Sequence, residues 1–248
     1  MQNIINSVNN LDNNLRTLQQ ANNNRQYSTN PIEENGINGE IDEPIVQGDY
    51  LDCWLISGIL SMSYTDAGAE IIRDSITQNS DGSVDISFGN SNDTYNVTAE
   101  ELETNNYPLN TDHIDYSTGD DDMLALELGV EKMIDDKNIN KYSMETGGNP
   151  YYVFQMFDAE SISVTHSQEE IEAAFDYFEQ HSDICSMTLG TIGNAIPGLR
   201  ADHGYAIKSI DGDNVQLVDP WDTTLEVNIS RETLLEYYRN VSIVYAEF

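Results

Sequence analysis

The sequence predicts an α+β fold in two lobes, and three observations carry that expectation. An almost wholly apolar helical pattern starts at Cys53, helical patterns recur to about residue 160, and short alternating strands separated by turn signals follow. The chain divides accordingly into 1–44, an N-terminal helix plus Asn-rich linker, 45–160, a helical lobe, and 161–248, an antiparallel β-sheet lobe. Its 248 residues suffice to bury a sizeable core, as one domain or two small lobes.

In order along the chain, Ile4, Val8, Leu11, Leu15 and Leu18 step by four and three, an apolar stripe on a helix too short to be a stable free coiled coil. It reads as a helix that docks on the body or frays, or as a pro-segment, partner-binding helix or delivery signal. From Gln20 to Pro44 the composition turns to Asn, Glu, Gly and Pro, as in a linker. In QGDYLDCWLIS and beyond, Trp54, Leu55, Ile56, Ile59, Leu60 and Met62 leave little polar face, so this helix should be largely buried. A second helical patch covers Ala67 to Ile76. The Asp81-Gly82 turn signal then leads into the alternation Val84, Ile86, Phe88, repeated at Tyr95 and Val97.

Asp120, Asp121 and Asp122 precede a helix with Leu124, Leu128, Met133 and Ile134 on its buried face. They suit the cap and first turn of that helix; a calcium site is the other reading, although no calcium-loop signature is present. Gly147-Gly148 opens a loop into the next helix, and Glu169 to Gln180 is helical. Then come ICSMTLG, HGYAIKSI and VQLVDPW. The turn Asp211-Gly212-Asp213-Asn214 makes the last two a β-hairpin. RETLLEYYRN is a short helix and VSIVYAEF a terminal strand.

Lys+Arg 10 against Asp+Glu 44 leaves a net charge of −34. Such a chain is no partner for nucleic acid, whose binding rests on basic residues releasing counterions, nor for an anionic membrane surface. It suits cations or basic polypeptides, and equally a saline habitat. Cys53 and Cys185 are the only cysteines, so this is no disulfide scaffold. No apolar run approaches the roughly 18 residues of a membrane span, and the N-terminus lacks the pattern of a secretory signal. The expectation is a soluble protein, cytoplasmic or exported by a non-classical route, of undetermined oligomeric state.

Cys53 falls in the first turn of its helix, where unpaired N–H groups and the helix dipole favour a thiolate. Read in isolation it is as readily a small core hydrophobe. Of the four histidines, His113 lies in a polar loop and His166 and His181 flank a helix. His203 differs, because it opens a strand whose hairpin returns Asp219 to its side. Cross-strand neighbours lie about 5 Å apart, so that carboxylate could hold one nitrogen of the imidazole; the bland reading is a hairpin that merely ends in these two residues. Gln47, six residues before the cysteine, could donate with the Cys53 N–H to an oxyanion, or be a solvated loop glutamine.

QGDYLDCWLIS resembles the cysteine box of the calpain protease core, within the papain-like superfamily. GLRADHGYAIKSI is similar to that family's histidine strand, VQLVDPWD to its asparagine–proline–tryptophan–glycine segment, and ALELGVEKM with Gly147-Gly148 to the helix and glycine pair between the boxes. The ending SRETLLEYYRNVSIVY is similar to the family's closing helix and strand, so the match runs from about residue 45 to the C-terminus. The resemblance implies a cleft between the two lobes and a cysteine endopeptidase acting on polypeptide. Cys53 would be the nucleophile, His203 the general acid/base, Asp219 its orienting residue and Gln47 the oxyanion donor. Trp221 would shield the His203–Asp219 bond, and Gly147 and Gly148 would border the substrate. No cofactor is implied for the chemistry, while calcium is a candidate regulator whose ligands do not map onto this chain.

Three positions depart from the family pattern. Leu51 and Asp222 replace glycines, and Asp219 replaces asparagine. The family's further threonine–glycine contact has only Met156 to Ala159 in its place, and nothing resembles its C2-like or EF-hand regulatory domains. Two alternatives therefore accompany the endopeptidase: a catalytically inactive binding module on the same fold, and a thiol acyltransferase or deamidase using the same triad.

Overall fold

The computed structural model describes residues 37–42, 44–89, 91–106, 114–164, 167–193 and 196–248. The expected helix between Ile4 and Leu18 lies outside them, as do His113 and His166.

The first helix, α1 (Cys53–Ser63), buries Trp54 through Met62. Its N-cap, Asp52, makes no side-chain cap bond, a loss of about 1 kcal/mol against a working cap. Leu55, Ile56 and Ile59 are wholly buried, each contributing roughly 2 kcal/mol, so packing rather than capping holds this helix. Next, α2 (Asp66–Ser75) is capped by Thr65, whose hydroxyl accepts from Gly68 N at 3.0 Å. Three short strands follow, β1 (Ile76–Gln78), β2 (Val84–Ser87) and β3 (Thr94–Val97), forming an antiparallel sheet in that order.

After α3 (Ala99–Asn106), the long α4 (Asp121–Lys137) is capped by Asp120, which accepts from Met123 N at 2.9 Å. It ends where Asn138 turns left-handed, at φ 51. The neighbouring carboxylates bind incoming backbone: Asp122 accepts from Asn38 N and Gly39 N, each at 3.0 Å, and Asp120 from Asp42 N at 3.2 Å. Among the described residues, no group of three or more His, Cys, Asp or Glu is placed to hold a metal ion. The short α5 (Tyr151–Met156) completes this half.

The second half is a six-stranded antiparallel sheet flanked by helices, so the chain is α+β. Its strands are β4 (Glu160–Val164), β5 (Cys185–Thr191), β6 (Gly204–Asp211), β7 (Asn214–Val218), β8 (Glu226–Ser230) and β9 (Val241–Glu247), in the order β4-β9-β5-β6-β7-β8. Between them lie α6 (Gln168–His181) and α7 (Arg231–Glu236). The expected hairpin is β6–β7, with Asp211 opposite Asn214. Three strands were not expected from the sequence: β1 has three residues, and the alternations of β4 (Ile162, Val164) and β8 (Val227, Ile229) are two apolar residues long, with Ile162 exposed and Val227 half-buried.

The two faces of the large sheet belong to different cores. Ala206, Val218, Val244 and Ala246 pack with α1, α4 and α5, whereas Ile207, Leu217 and Ile243 pack with α6 and α7. Alternation along β6, β7 and β9 thus makes the sheet a shared wall. No helix among the described residues is long and apolar enough to cross a membrane.

Candidate active site

Close packing of α1 on β6 brings the chemistry together. A Cβ on Gly204 would lie 3.1 Å from the Cys53 carbonyl oxygen and 2.9 Å from Ser57 Oγ. A side chain at 204 would crowd the helix carrying Cys53, so the glycine suits this close approach of the strand following His203. The histidine backbone is fixed by Thr191, whose Oγ1 accepts from His203 N at 3.0 Å and whose N–H donates to His203 O at 2.8 Å. Ahead of it, Asp202 is left-handed at φ 50, and its carboxylate accepts from Gly193 N at 2.7 Å.

The His203 ring is held from both sides. Nε2 lies 2.8 Å from Asp219 Oδ1, which leaves Nδ1 uncommitted, and the Cys53 side chain lies near enough to the ring to act on its pKa. Asp219 is wholly buried, His203 nearly so, and Cys53 half-buried. Burial by itself lowers the imidazole pKa, but hydrogen bonds and charge from Asp219 and Cys53 outweigh it and raise the value to about 9. Burial likewise opposes ionisation of Asp219, yet its bonds to His203 and Trp221 N, with the Arg200 charge, hold its pKa below the usual carboxylate range. The arrangement is an imidazolium gripped between a carboxylate and a sulfur.

Arg200 was not among the residues expected at the site. Its Nε donates to Asp219 Oδ2 at 3.0 Å, and its guanidinium lies 3.9 Å above the Trp221 ring. Trp221 stands edge-on to His203, ring centroids 6.2 Å apart, and its backbone N–H donates to Asp219 Oδ1 at 3.0 Å. A lone arginine in a turn has no periodicity to betray it.

No protein-family model matches the chain, and no curated protein matches it. The chemistry must therefore be judged from the placement of the side chains themselves.

Gln47 departs from the expected role. Its side chain is drawn inward, 2% exposed, and Nε2 donates both to Tyr50 O and to Asp52 Oδ1, each at 2.8 Å. Both amide hydrogens are thereby committed, so Gln47 stands here as a scaffold group and not as an open oxyanion donor. The Cys53 N–H, first in its helix, has no intrahelical acceptor and remains suited to that task. Gln47 also ties the halves together, its N–H donating to Pro220 O at 3.1 Å beside Asp219.

The glycine pair splits in function. A Cβ on Gly148 would strike the Trp54 ring at 2.7 Å, so that glycine serves packing; Gly147, at φ +88, meets only Leu51 O at 3.6 Å and borders open space. Leu51 itself is 59% exposed two residues before the thiol, its N–H bonded to Met144 O at 2.7 Å. Asp222 accepts from Thr224 N at 3.0 Å within its own turn. His181 stacks on Tyr177 at the end of α6, and Cys185 is buried within β5; both are structural.

Proposed function

We propose that the chain is a cysteine endopeptidase with a papain-like, calpain-like core. One observation carries the reading: the His203 ring, held by Asp219 through Nε2 at 2.8 Å, sits beside the Cys53 side chain at the start of α1. That order of sulfur, imidazole and carboxylate is what a thiol nucleophile requires.

In the mechanism, the Cys53 thiolate adds to a peptide carbonyl, forming the C–S bond while the oxyanion accepts from the Cys53 N–H. As the oxyanion collapses, the C–N bond breaks and His203 Nδ1 gives its proton to the departing amine. Neutral His203 then takes a proton from water, the resulting hydroxide attacks the thioester, and the carboxylic acid leaves as the thiolate and imidazolium are restored. Asp219 keeps the ring oriented throughout, and Arg200 balances its charge. With a net charge of −34, substrates bearing basic stretches are favoured over acidic ones.

Treatment with an epoxide inhibitor of papain-like enzymes, with and without calcium, tests the reading by intact mass and peptide cleavage. Labelling at Cys53 accompanied by cleavage is expected, and absence of both would remove it. The commitment of the Gln47 amide favours a second reading, a binding module that retains the triad without turnover; its signature is labelling of Cys53 with no peptide or glutamine hydrolysed.

A further inference from the structure

Asp52 occupies the N-cap of α1, yet its carboxylate caps nothing there. Oδ1 accepts from Gln47 Nε2. Oδ2 is buried with no donor of its own, and the carboxyl of Glu127 on α4 lies close enough to Asp52 for the two acids to act on one another. Both acids are 0% exposed. The other partner of Glu127 is Ser117, through its N–H at 3.2 Å and its hydroxyl. Among the described residues, no lysine, arginine or histidine forms an ion pair with either acid.

Two carboxylates in contact inside a protein repel unless one oxygen carries a hydrogen. We propose that Asp52 and Glu127 hold one proton between them, and that this acid pair is a positioning element, clamping the residue ahead of Cys53 so that the sulfur stays in register with His203. The clamp fastens the uncapped end of α1 to α4, and through Gln47 to the segment running beside Pro220. The groups that face the pair are the Gln47 amide, the Ser117 N–H and hydroxyl, and the backbone amide of Asp52; none of them titrates in the working range. Burial, followed by mutual contact for Glu127, accordingly raises both carboxyls. The positioning role rests on Cys53 being the nucleophile, whereas the shared proton does not.

Glu127→Gln tests the proton. Its amide can donate to Asp52 with no proton taken up, while its oxygen still accepts from Ser117. If the proton is shared, wild-type protein binds more protons folded than unfolded above the ordinary carboxylate range, and its stability falls there as pH rises. The Tm advantage of Glu127→Gln should therefore grow steadily between about pH 5 and 8; an advantage that does not change with pH would overturn the shared proton.

Alkylation of Cys53 by chloroacetamide at neutral pH, followed by mass, tests the positioning. Glu127→Gln should keep the wild-type rate, and Asp52→Leu, checked for folding by circular dichroism, should slow it by at least about tenfold. An unchanged rate in folded Asp52→Leu would overturn the positioning role, and if that variant does not fold, a Glu127→Gln rate as slow as that of unfolded protein does the same. Wild-type Cys53 reacting no faster than glutathione would count against the enzyme itself, while the Tm series would still report the proton.

Discussion

Arg200 and Asp219 form an ion pair of 3.0 Å in which the carboxylate is wholly buried and the guanidinium side chain is 18% exposed. The same carboxylate holds His203 through its other oxygen. One anion therefore serves two cations, and the aspartate that stands where the resembling family has asparagine comes with its own counter-charge. Removing Arg200 leaves a buried charge undercompensated, which costs about 3 kcal/mol. Arg200→Gln should lower the unfolding free energy by that order, and Asp219→Asn should cost less in the Arg200→Gln background than alone. Urea titrations of the four proteins at pH 7 measure this; a coupling energy of zero would mean the pair contributes nothing.

The raised pKa of His203 fixes a pH window. The folded state holds the proton to about pH 9, against a value of 6.5 for an unperturbed histidine. Stability from this source is fully present below the unfolded value and is lost as pH rises through the folded one, on the order of 3 kcal/mol in all. Peptide hydrolysis should decline on its alkaline side with an apparent pKa near 9, as the imidazolium that protonates the leaving amine disappears. A kcat/KM profile declining near 6.5 instead would show that the ring is not held as described.

Leu51 is exposed two residues before Cys53, the proposed nucleophile, and contributes little to the interior. Leu51→Ala should change stability by less than about 0.5 kcal/mol. It should nevertheless raise kcat/KM for peptides with bulky residues next to the scissile bond, relative to those with glycine there. Equal ratios for wild type and variant would place the leucine outside the substrate path.

Gly147 and Gly148 should respond to alanine for different reasons. At 148 the added methyl group collides with Trp54 and with Tyr142 Cβ at 2.9 Å, an overpacking that costs about 1–3 kcal/mol. At 147 space is open but φ is +88, a backbone conformation costing about 1 kcal/mol for a non-glycine residue. Thermal unfolding of the two variants should therefore rank 148 as the more damaging.

Much of this molecule was legible because its signals were local. The apolar run after Cys53 gave α1, and the Asp211 to Asn214 turn gave the hairpin that sets Asp219 beside His203. Strands β1, β4 and β8 escaped notice because β1 has three residues and the alternations Ile162/Val164 and Val227/Ile229 are too brief to stand out from loop. Arg200 and the inward turn of the Gln47 amide depend on contacts made only after folding. Glu127 did leave a trace: it lies three residues after Leu124 and one before Leu128, so a charge sits on an apolar helix face. Such a group needs a donor, which Ser117 supplies, and its approach to Asp52 is a contact that sequence spacing could not name.

Gly204 has a wider consequence. Where it meets the Cys53 carbonyl, main chain touches main chain, and a contact of that kind is blind to side-chain identity. Mutation can refill either interior with different apolar groups while the distance between sulfur and imidazole stays the same. On that seam the glycine is a place where a substituent would press the two segments apart, towards Ser57 Oγ and the Cys53 carbonyl.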